Sequence, residues 1–387
     1  MGIDVKPNLQ YPFIMLFLLL LFGFLHASEI ELYCDYACDA KGQNMFPLEG
    51  EHPALPTLIR RQLVSRGDDI RSWEIDQYRP LLLNWHGVKT WQDFKHWLGI
   101  GLPKGEIVAP DTRYWVFWNL GPLMQDCNLA KVPKEKLVLV MWEPPAVQPE
   151  LYDPKTHALF DTIFTWDDDL VDNQKFFKLH YPALNPRIAN LPPFEEKKFC
   201  TMICRRLTSK HPKELYSERK RAIQFFEGKP AGEFDLYGYG WKKKYKNYRG
   251  SVPDKWETLK GYKFSICYEN TKDVKGYISE KIFDCFATGV VPIYLGASNV
   301  TDYIPAECFI DRRQFASYEE LYQFMKKMSP EEYQTYLDAA DAFIHSEKAK
   351  VFTNDFFVEN FLSKLHYGTG EVSEKLMMPP PGEESGQ

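Results

Sequence analysis

The chain has 387 residues, of which 44% are hydrophobic and 26% are charged, so it suits two globular domains better than one compact core. Its formal net charge is −6 and its Lys and Arg residues are scattered. This argues against nucleic acid as a partner, because a nucleic-acid-binding domain carries a basic patch or stripe. The ten Trp, 22 Tyr and 27 Phe residues suit aromatic cores and also sugar-binding clefts, where ring faces pack on apolar parts of a sugar.

An uncharged apolar segment, Tyr11–Ala27, lies near the amino terminus. Its length is close to the minimum of about 17 residues for a helix that spans a bilayer. Lys6 precedes it and acidic residues follow it, which predicts a single-pass type II membrane protein with residues 1–30 as cytosolic tail and anchor. The rest would face the Golgi lumen in a eukaryote, or lie at the inner membrane or its periplasmic face in a bacterium. The Leu-His-Ala end of the segment weakly resembles a cleavage site, so a cleaved secretory signal is the alternative.

The eight Cys residues do not indicate a structural zinc site, because they form no C-x-x-C pair and no His residues cluster near them. Cys200, Cys204 and Cys267 lie in apolar, strand-like runs and are expected to be small core residues. Cys34 and Cys38 could pair with each other or with other Cys residues in an oxidising compartment. The sequence leaves their connectivity open.

The first half of the chain alternates short apolar runs with polar segments. The run LVLVMW is continuously apolar, as expected for a strand that is covered on both faces in a parallel sheet. The strand candidates are Glu31–Cys34, Tyr114–Leu120, Leu137–Glu143 and Thr162–Trp166.

Three consecutive carboxylates, Asp167, Asp168 and Asp169, follow the last of these strands. An Asp-x-Asp pair can hold a divalent metal on the phosphates of a sugar nucleotide. The alternative, which we favour, is that an Asp caps a helix formed by LVDNQKFFK, residues 170–178.

A proline-rich segment, Asn185–Lys198, is the best candidate for a linker between two domains. Beyond it, strand-like runs again alternate with helical patterns, notably Ser217–Glu227 and Ile278–Ala287, and capping residues at Ser317 and Ser329 start two further helices. This alternation in both halves predicts two βαβ-type domains. The strand candidates here are Lys198–Cys204, Phe234–Tyr239, Tyr262–Tyr268, Val290–Leu295 and Cys308–Asp311.

The stretch Tyr262–Gly296 predicts a strand, a polar loop, a helix and a buried strand, with polar residues at the carboxyl end of the first strand. Open α/β sheets bind ligands at that edge. The first turn of the helix can bind a phosphate through its N–H groups, and Lys281 could neutralise a diphosphate. Tyr277 could donate a hydrogen bond, and Glu280 could accept two hydroxyl groups of a ribose or a sugar. The alternative is a solvated helix start, with Glu280 placed there by the helix dipole alone.

The same stretch resembles the donor-binding signature of the family-10 glycosyltransferases, the α1,3/4-fucosyltransferases. The elements that carry the resemblance are the strand that ends in Glu-Asn, the Tyr-x-x-Glu-Lys sequence and a Gly-x-x-Pro-x-x-x-Gly sequence. In this chain they are Glu269-Asn270, Tyr277-Ile278-Ser279-Glu280-Lys281 and the segment from Gly289 through Pro292 to Gly296. The resemblance covers residues 234–343 well and the amino half weakly.

The resemblance implies an inverting transfer of L-fucose from GDP-fucose to a hydroxyl group of a glycan, such as an α1,3 transfer to GlcNAc. Glu143, which follows LVLVMW, would be the catalytic base, and Arg219 would contact the diphosphate, with Arg221 as the fallback. Asn270 and Glu280 would orient the donor. Lys281 and Tyr277 would stabilise the departing GDP, and Glu269 is a possible further donor-site residue. No cofactor or metal site is expected to be required, although a divalent cation could stimulate the reaction.

The resemblance also implies an α/β fold of the GT-B type, in which two Rossmann-like domains face each other across a cleft. The domains would be an acceptor-side domain at 31–190 and a donor-binding domain at 191–346, followed by a helical segment at 347–376 and a disordered tail at 377–387. The alternatives to a fucosyltransferase are another GT-B nucleotide-sugar transferase and an inactive relative that only binds glycans or nucleotides.

Overall fold

The computed structural model describes residues 30–34, 55–64, 70–72, 114–120, 132–241 and 245–365. The predicted membrane segment Tyr11–Ala27, Cys38 and the tail at 377–387 lie outside these residues. Within them, no helix combines the length and the apolar character needed to cross a membrane. The chain divides into two compact units, Met1–Leu139 and Val140–Gln387. The boundary predicted near residue 190 falls inside the second unit, and the five predicted domains stay predictions.

The described residues of the first unit include three parallel strands and a helix. Strand β1 (Ile30–Cys34) pairs with both β2 (Ile70–Ser72) and β3 (Tyr114–Trp118), and α1 spans Leu55–Val64. Strand β2 was not predicted, because three residues that include an Arg carry no readable periodicity. Strand β4 (Leu137–Met141) begins at the end of this unit, and all five of its residues are buried, which confirms the prediction of a strand covered on both faces.

The second unit opens with a short helix, α2 (Pro154–His157), and two parallel strands, β5 (Thr162–Thr165) and β6 (Phe176–Lys178). The helix predicted at residues 170–178 is therefore wrong. One carboxylate oxygen of Asp172 accepts the backbone N–H groups of residues 174, 175 and 176 at 2.8–2.9 Å. Such a side-chain turn competes with helix formation and directs the chain into β6.

Five parallel strands form the main sheet of this unit, in the order β8-β7-β9-β10-β11. In chain order this is a 2-1-3-4-5 arrangement, that of a doubly wound α/β domain, and its topological switch point lies between β7 and β9. The parallel α/β domain predicted for this part of the chain is confirmed. The strands are β7 (Lys198–Ile203), β8 (Phe234–Tyr237), β9 (Tyr262–Tyr268), β10 (Val291–Leu295) and β11 (Ile310–Asp311).

Helices cover both faces of this sheet. The helices are α3 (Tyr216–Glu227), α4 (Lys255–Leu259), α5 (Glu280–Ala287), α6 (Val300–Tyr303), α7 (Tyr318–Lys327), α8 (Pro330–Ile344) and α9 (Asn354–Lys364). Short 3₁₀ segments span Lys134–Lys136, Pro149–Tyr152, Phe194–Glu196, Ala306–Cys308, Arg312–Gln314 and Glu347–Phe352.

The apolar stripes of these helices follow the 3.6-residue period. On one face, Ala222, Ile223 and Phe226 of α3 share a core with residues of α7. On the other, Ile282 and Phe286 of α5 share a core with residues of α8. Each stripe packs on one face of the sheet. The carboxyl ends of β7 and β9 lie at an edge of the sheet that these helices leave open.

Both predicted helix caps and two of the three predicted core Cys residues are present in the structure. Ser329 forms a complete capping box with Glu332, as predicted, and Ser317 accepts the N–H of Glu320. Cys200 and Cys267 are buried core residues, as expected. Cys204 is half-buried at the end of β7.

Candidate active site

A cavity of about 200 Å³ lies at the switch point of the five-stranded sheet. Residues at the ends of β7 and β9 and at the starts of α3, α4 and α5 line it, and they include several of the residues predicted to bind a donor. The predicted residues in the lining are Arg219, Asn270, Glu280 and Lys281, and the charged residues Arg205 and Lys255 also line the cavity. A larger groove of about 790 Å³ along α7 and α8 has none of the predicted site residues in its lining.

Arg219 reaches the cavity from the first turn of α3. Its side chain is buried, and one terminal nitrogen donates to the backbone oxygen of Tyr268 at 2.6 Å and to Oδ1 of Asn270 at 2.9 Å. The guanidinium carbon lies 5.3 Å from the centre of the Tyr216 ring. The structure therefore brings Arg219 and Asn270 together, as the prediction requires.

Arg221, the fallback residue, points elsewhere. Its side chain is 66% exposed and pairs with Glu218 at 2.5 Å along the surface of α3. It does not line the cavity, and only Arg219 of the two is oriented for a ligand there.

Glu269 is a fully buried anchor at the end of β9. Its carboxylate accepts the N–H of Ser279 at 2.8 Å and the hydroxyl of Ser279 at 2.7 Å, and it lies 3.2 Å from the ammonium group of Lys281. A Cβ atom at Gly296 would lie 2.5 Å from Cγ of Glu269, so the final Gly of the signature leaves the space that this carboxylate occupies. Glu269 holds Lys281 in place and does not line the cavity.

At the start of α5, the positive charge of Lys281 and the negative charge of Glu280 stabilise each other. Burial opposes the charge of Lys281, but the carboxylates of Glu269 and Glu280 outweigh it and raise the pKa of Lys281 above its ordinary value. Burial likewise opposes the charge of Glu280, but Lys281 and Lys255 lower its pKa to about 2. Half of the Glu280 side chain is nevertheless open to solvent within the concave site. At neutral pH the cavity thus presents a fixed cation beside a carboxylate that can accept hydroxyl groups.

Tyr277 is buried next to two other aromatic residues. Its ring centre lies 4.5 Å from that of Trp166 and 6.1 Å from that of Tyr181. Burial raises the pKa of Tyr277 well above its ordinary value, and nearby negative charges, including that of Glu143, raise it further. The hydroxyl therefore stays protonated at neutral pH, as a hydrogen-bond donor must.

Glu143, the predicted base, is half-buried two residues past the end of β4. Its negative charge adds to burial in raising the pKa of Tyr277, and it also raises the pKa of Tyr216, which is affected mainly by burial and lies beside Arg219. The carboxylate is therefore within electrostatic range of the starts of both α3 and α5. Glu143 is not among the residues that line the cavity, and it is connected to the donor signature indirectly, through the packing of Trp142 on Tyr181 and of Tyr181 on Tyr277.

Asp168 is engaged with side chains and is not an open metal ligand. It pairs with Lys178 at 2.5 Å and accepts hydrogen bonds from Tyr303 at 2.7 Å and Asn299 at 2.9 Å. Within the described ranges, no group of three or more His, Cys, Asp or Glu residues is arranged to hold a metal ion. The amide oxygen of Asn299 accepts the N–H of Gly276 at 2.9 Å, so this network fixes the loop that leads into Tyr277.

Two charged residues of the cavity lining, Arg205 and Lys255, were not predicted as site residues. Arg205 follows β7, and the strand order would have pointed to it, because ligands bind at the carboxyl ends of the two strands that flank a switch point. Lys255 lies in the short helix α4, where it pairs with Asp284 at 2.5 Å. No local pattern marks Lys255 as a site residue.

Residues 195–357 match the profile of a known protein family, described as glycosyltransferase family 10 (fucosyltransferase), C-terminal. Over these residues the chain is similar to glycosyltransferase family 10. The family-10 segment includes every predicted donor-site residue from Arg219 to Lys281, whereas Glu143 lies ahead of it.

Relatives with known activities are similar over parts of the chain. An alpha-(1,4)-fucosyltransferase of Arabidopsis thaliana is 45% identical over 67 residues, which is 17% of this chain and 16% of the relative. The mouse (Mus musculus) 4-galactosyl-N-acetylglucosaminide 3-alpha-L-fucosyltransferase 9 is 28% identical over 215 residues, which is 55% of this chain and 54% of the relative. The match thus spans about half the length of the mouse relative and a smaller share of the plant one.

Solved structures of an alpha1,3-fucosyltransferase are also similar. The complex with GDP is 15% identical, with a TM-score of 0.42, and the complex with GDP-fucose is 17% identical, with a TM-score of 0.41. Each comparison covers 66% of this chain and 78% of the solved chain.

Proposed function

We propose that the protein is an inverting fucosyltransferase that transfers L-fucose from GDP-fucose to a hydroxyl group of a glycan. The observation that carries the proposal is the cavity at the switch point, where Arg219 and Lys281 supply positive charge beside the carboxylate of Glu280. The family-10 match over residues 195–357 and the two fucosyltransferase relatives support fucose as the sugar. An α1,3 transfer to GlcNAc or a similar sugar is the finer proposal, which the name of the mouse relative supports.

The reaction is a single displacement at the anomeric carbon of fucose. Glu143 accepts the proton of the acceptor hydroxyl group, while the oxygen of that hydroxyl group forms the new bond to the anomeric carbon. The bond from the anomeric carbon to the phosphate oxygen breaks, and GDP leaves with the electron pair. Arg219 and Lys281 stabilise the growing charge on the diphosphate, and their own contacts keep both side chains in place before the reaction begins.

The remaining predicted residues orient the donor. Glu280 is ionised above about pH 2 and can accept hydroxyl groups of a ribose or of the fucose. Asn270 holds the guanidinium of Arg219 through its Oδ1 atom, so its effect on the donor passes through Arg219. Tyr277 is buried and is not among the residues that line the cavity, so its proposed role is to support the donor-site residues through ring packing against Trp166 and Tyr181, not to contact the diphosphate.

The fold, the membrane attachment and the metal requirement are further parts of the proposal. The protein has the GT-B architecture and is attached to a membrane by residues 1–30 as a single-pass type II protein, facing the Golgi lumen in a eukaryote or the periplasm in a bacterium. The reaction requires no metal, since Arg219 and Lys281 carry the countercharge, and a divalent cation can at most stimulate it. Removing divalent cations with EDTA should therefore leave most of the activity.

A panel of nucleotide sugars tests the proposal. The purified chain is incubated with GDP-fucose, GDP-mannose and UDP-galactose, each with an acceptor that ends in Gal-GlcNAc. We expect transfer from GDP-fucose alone, with inversion at the anomeric carbon. Transfer from another donor would favour a different nucleotide-sugar transferase. Binding of GDP without any transfer would favour an inactive relative.

A further inference from the structure

Three side-chain donors converge on two neighbouring backbone carbonyl groups next to the base. The carbonyl oxygen of Trp142 accepts hydrogen bonds from Nε1 of Trp166 at 3.1 Å and from the hydroxyl of Tyr181. The carbonyl oxygen of Glu143 accepts one from the hydroxyl of Tyr152 at 3.1 Å. Because both residues lie past the last residue of β4, these bonds fix the direction in which the chain leaves the strand.

Two of these donors also contact the donor signature. The rings of Trp166 and Tyr181 both pack against the ring of Tyr277, and the ring centre of Tyr181 lies 4.3 Å from that of Trp142. Trp166, Tyr181 and Tyr277 are 0%, 7% and 1% exposed, so this aromatic layer is buried. It forms a continuous packed connection from Tyr277 to the residue that precedes Glu143.

We propose that Tyr181 is a positioning residue, which holds Glu143 at a fixed place relative to the donor-binding residues through its hydrogen bond to Trp142 and its packing against Tyr277. The inference rests on the proposed function, in which Glu143 is the base. A general base has to lie within about 3 Å of the proton that it accepts. A misplacement of about 1 Å can lower a rate about 100-fold.

The Tyr181 hydroxyl group keeps its proton and therefore remains a hydrogen-bond donor. Burial raises the pKa of Tyr181 well above its ordinary value, and the charges of Glu143, Glu280 and Glu269 raise it further. The hydroxyl therefore remains protonated at neutral pH, and its bond to the Trp142 carbonyl is present whenever the enzyme works. Substitution by Phe removes this bond and keeps the ring that packs against Tyr277.

A matched control separates positioning from general stability. Tyr333 in α8 is 2% exposed, and its hydroxyl donates to the backbone oxygen of Gly289 at 2.9 Å, so Tyr333→Phe removes the same type of buried bond. Tyr333 does not line the cavity. The two Phe variants should lose similar amounts of thermal stability, but only Tyr181→Phe should affect catalysis.

The kinetic test compares Tyr181→Phe, Tyr333→Phe and Glu143→Gln, singly and in combination. We expect Tyr181→Phe to lower kcat about tenfold or more while its GDP affinity stays within about twofold of the wild type. In the Glu143→Gln background, Tyr181→Phe should have no further effect on kcat, because the residue through which it acts has lost its function. An equal loss in both backgrounds, or an unchanged kcat of the single variant, would overturn the inference.

A second readout does not depend on turnover. Hydrogen exchange at the amides of Trp142 and Glu143, followed in a peptide that covers residues 138–148, should be faster in Tyr181→Phe than in Tyr333→Phe, and equal exchange in both would overturn the inference. If the wild type transfers no fucose, the proposed function fails and this measurement still decides whether Tyr181 holds the segment. If the wild type is active and exchange is unchanged, only the role of Tyr181 fails.

Discussion

Lys281 and Glu269 form an ion pair of 3.2 Å in which the carboxylate is fully buried and the ammonium-bearing side chain remains 23% exposed. Glu269 is tied to the start of α5 by two hydrogen bonds from Ser279, and Lys281 also donates to the Ser279 hydroxyl at 2.8 Å. The cation therefore stands at a fixed position beside the cavity before any ligand arrives. This is the preorganisation that a diphosphate site requires.

Lys281→Ala should weaken GDP binding at least about tenfold, which corresponds to about 1.4 kcal/mol. It should also destabilise the fold by about 3–5 kcal/mol, because Glu269 is left as an unpaired buried charge. The double variant Lys281→Ala, Glu269→Gln separates the two effects, since it should recover stability but not GDP affinity. Calorimetric titration with GDP and urea unfolding measure them. Wild-type GDP affinity in the double variant would contradict the role of Lys281.

Arg219→Lys should lower GDP affinity about tenfold or more although the charge is kept. The guanidinium binds Tyr268 O and Asn270 through one nitrogen, and a lysine cannot make these bonds and present a planar fork to phosphate at the same time. Arg221→Lys is the control, because Arg221 is exposed and pairs only along the helix surface. GDP titration of both variants checks this, and equal losses would contradict the assignment of Arg219, and not Arg221, to the diphosphate.

Gly276→Ala should lower both stability and fucosyl transfer. Gly276 has a φ of +77°, and a Cβ atom there would overlap the backbone oxygen of Trp166 and lie 2.5 Å from Nζ of Lys178. Gly232→Ala is a matched control, since its φ is +89° but nothing lies within 4 Å of the added carbon. We expect both to lose about 1–3 kcal/mol from backbone strain. Only Gly276→Ala should lose activity per folded molecule, measured as kcat, and equal kcat values would contradict the role of this loop.

Asp167→Asn should raise stability at pH 8 and leave it almost unchanged near pH 4. Burial is the main cause that raises the pKa of Asp167 from 3.8 to about 6. Because the folded pKa lies above the unfolded one, the folded protein binds more protons between about pH 4 and pH 6, and this group lowers stability as the pH rises through that window. The effect at pH 8 is at most about 3 kcal/mol.

Urea unfolding of the wild type and Asp167→Asn at the two pH values measures this difference. Asn can still accept the N–H of Asp169, which Asp167 accepts at 3.1 Å, so the local turn is preserved. Asp302→Asn, which makes the same change at an exposed position, serves as the control. A stability gain that is equal at both pH values would mean that ionisation of Asp167 is not its cause.

The residues proposed to bind the donor could be predicted because the sequence pattern that marks them lies within one short stretch of the chain. Within Tyr262–Gly296, the apolar run, the polar loop and the helical stripe follow one another, and the structure has β9, α5 and β10 there. Glu269 is the exception: a pattern cannot tell a carboxylate that binds a ligand from one that holds a lysine. Its full burial beneath Ser279 and Gly296 assigns it to the second group.

The parts that could not be predicted depend on contacts between distant residues. Asp172 forms a turn instead of continuing a helix, and the result, β6, is stable because it pairs with β5. The hydrogen bond from Tyr181 to Trp142 joins a loop to a strand end, and no periodicity or motif marks either partner. Arg205 enters the cavity only because β7 and β9 are neighbours in the sheet.

The most direct test of the account is fucosyl transfer by the wild type and by Glu143→Gln, measured with GDP-fucose and a Gal-GlcNAc acceptor alongside GDP affinity. If Glu143 is the base, the wild type transfers fucose with inversion and the variant loses about 100-fold to 10,000-fold in kcat, which is the usual contribution of a general base. GDP affinity should stay within about twofold, because the residues proposed to bind GDP are unchanged. Transfer by the variant at the wild-type rate, or no transfer by the wild type, would contradict the account.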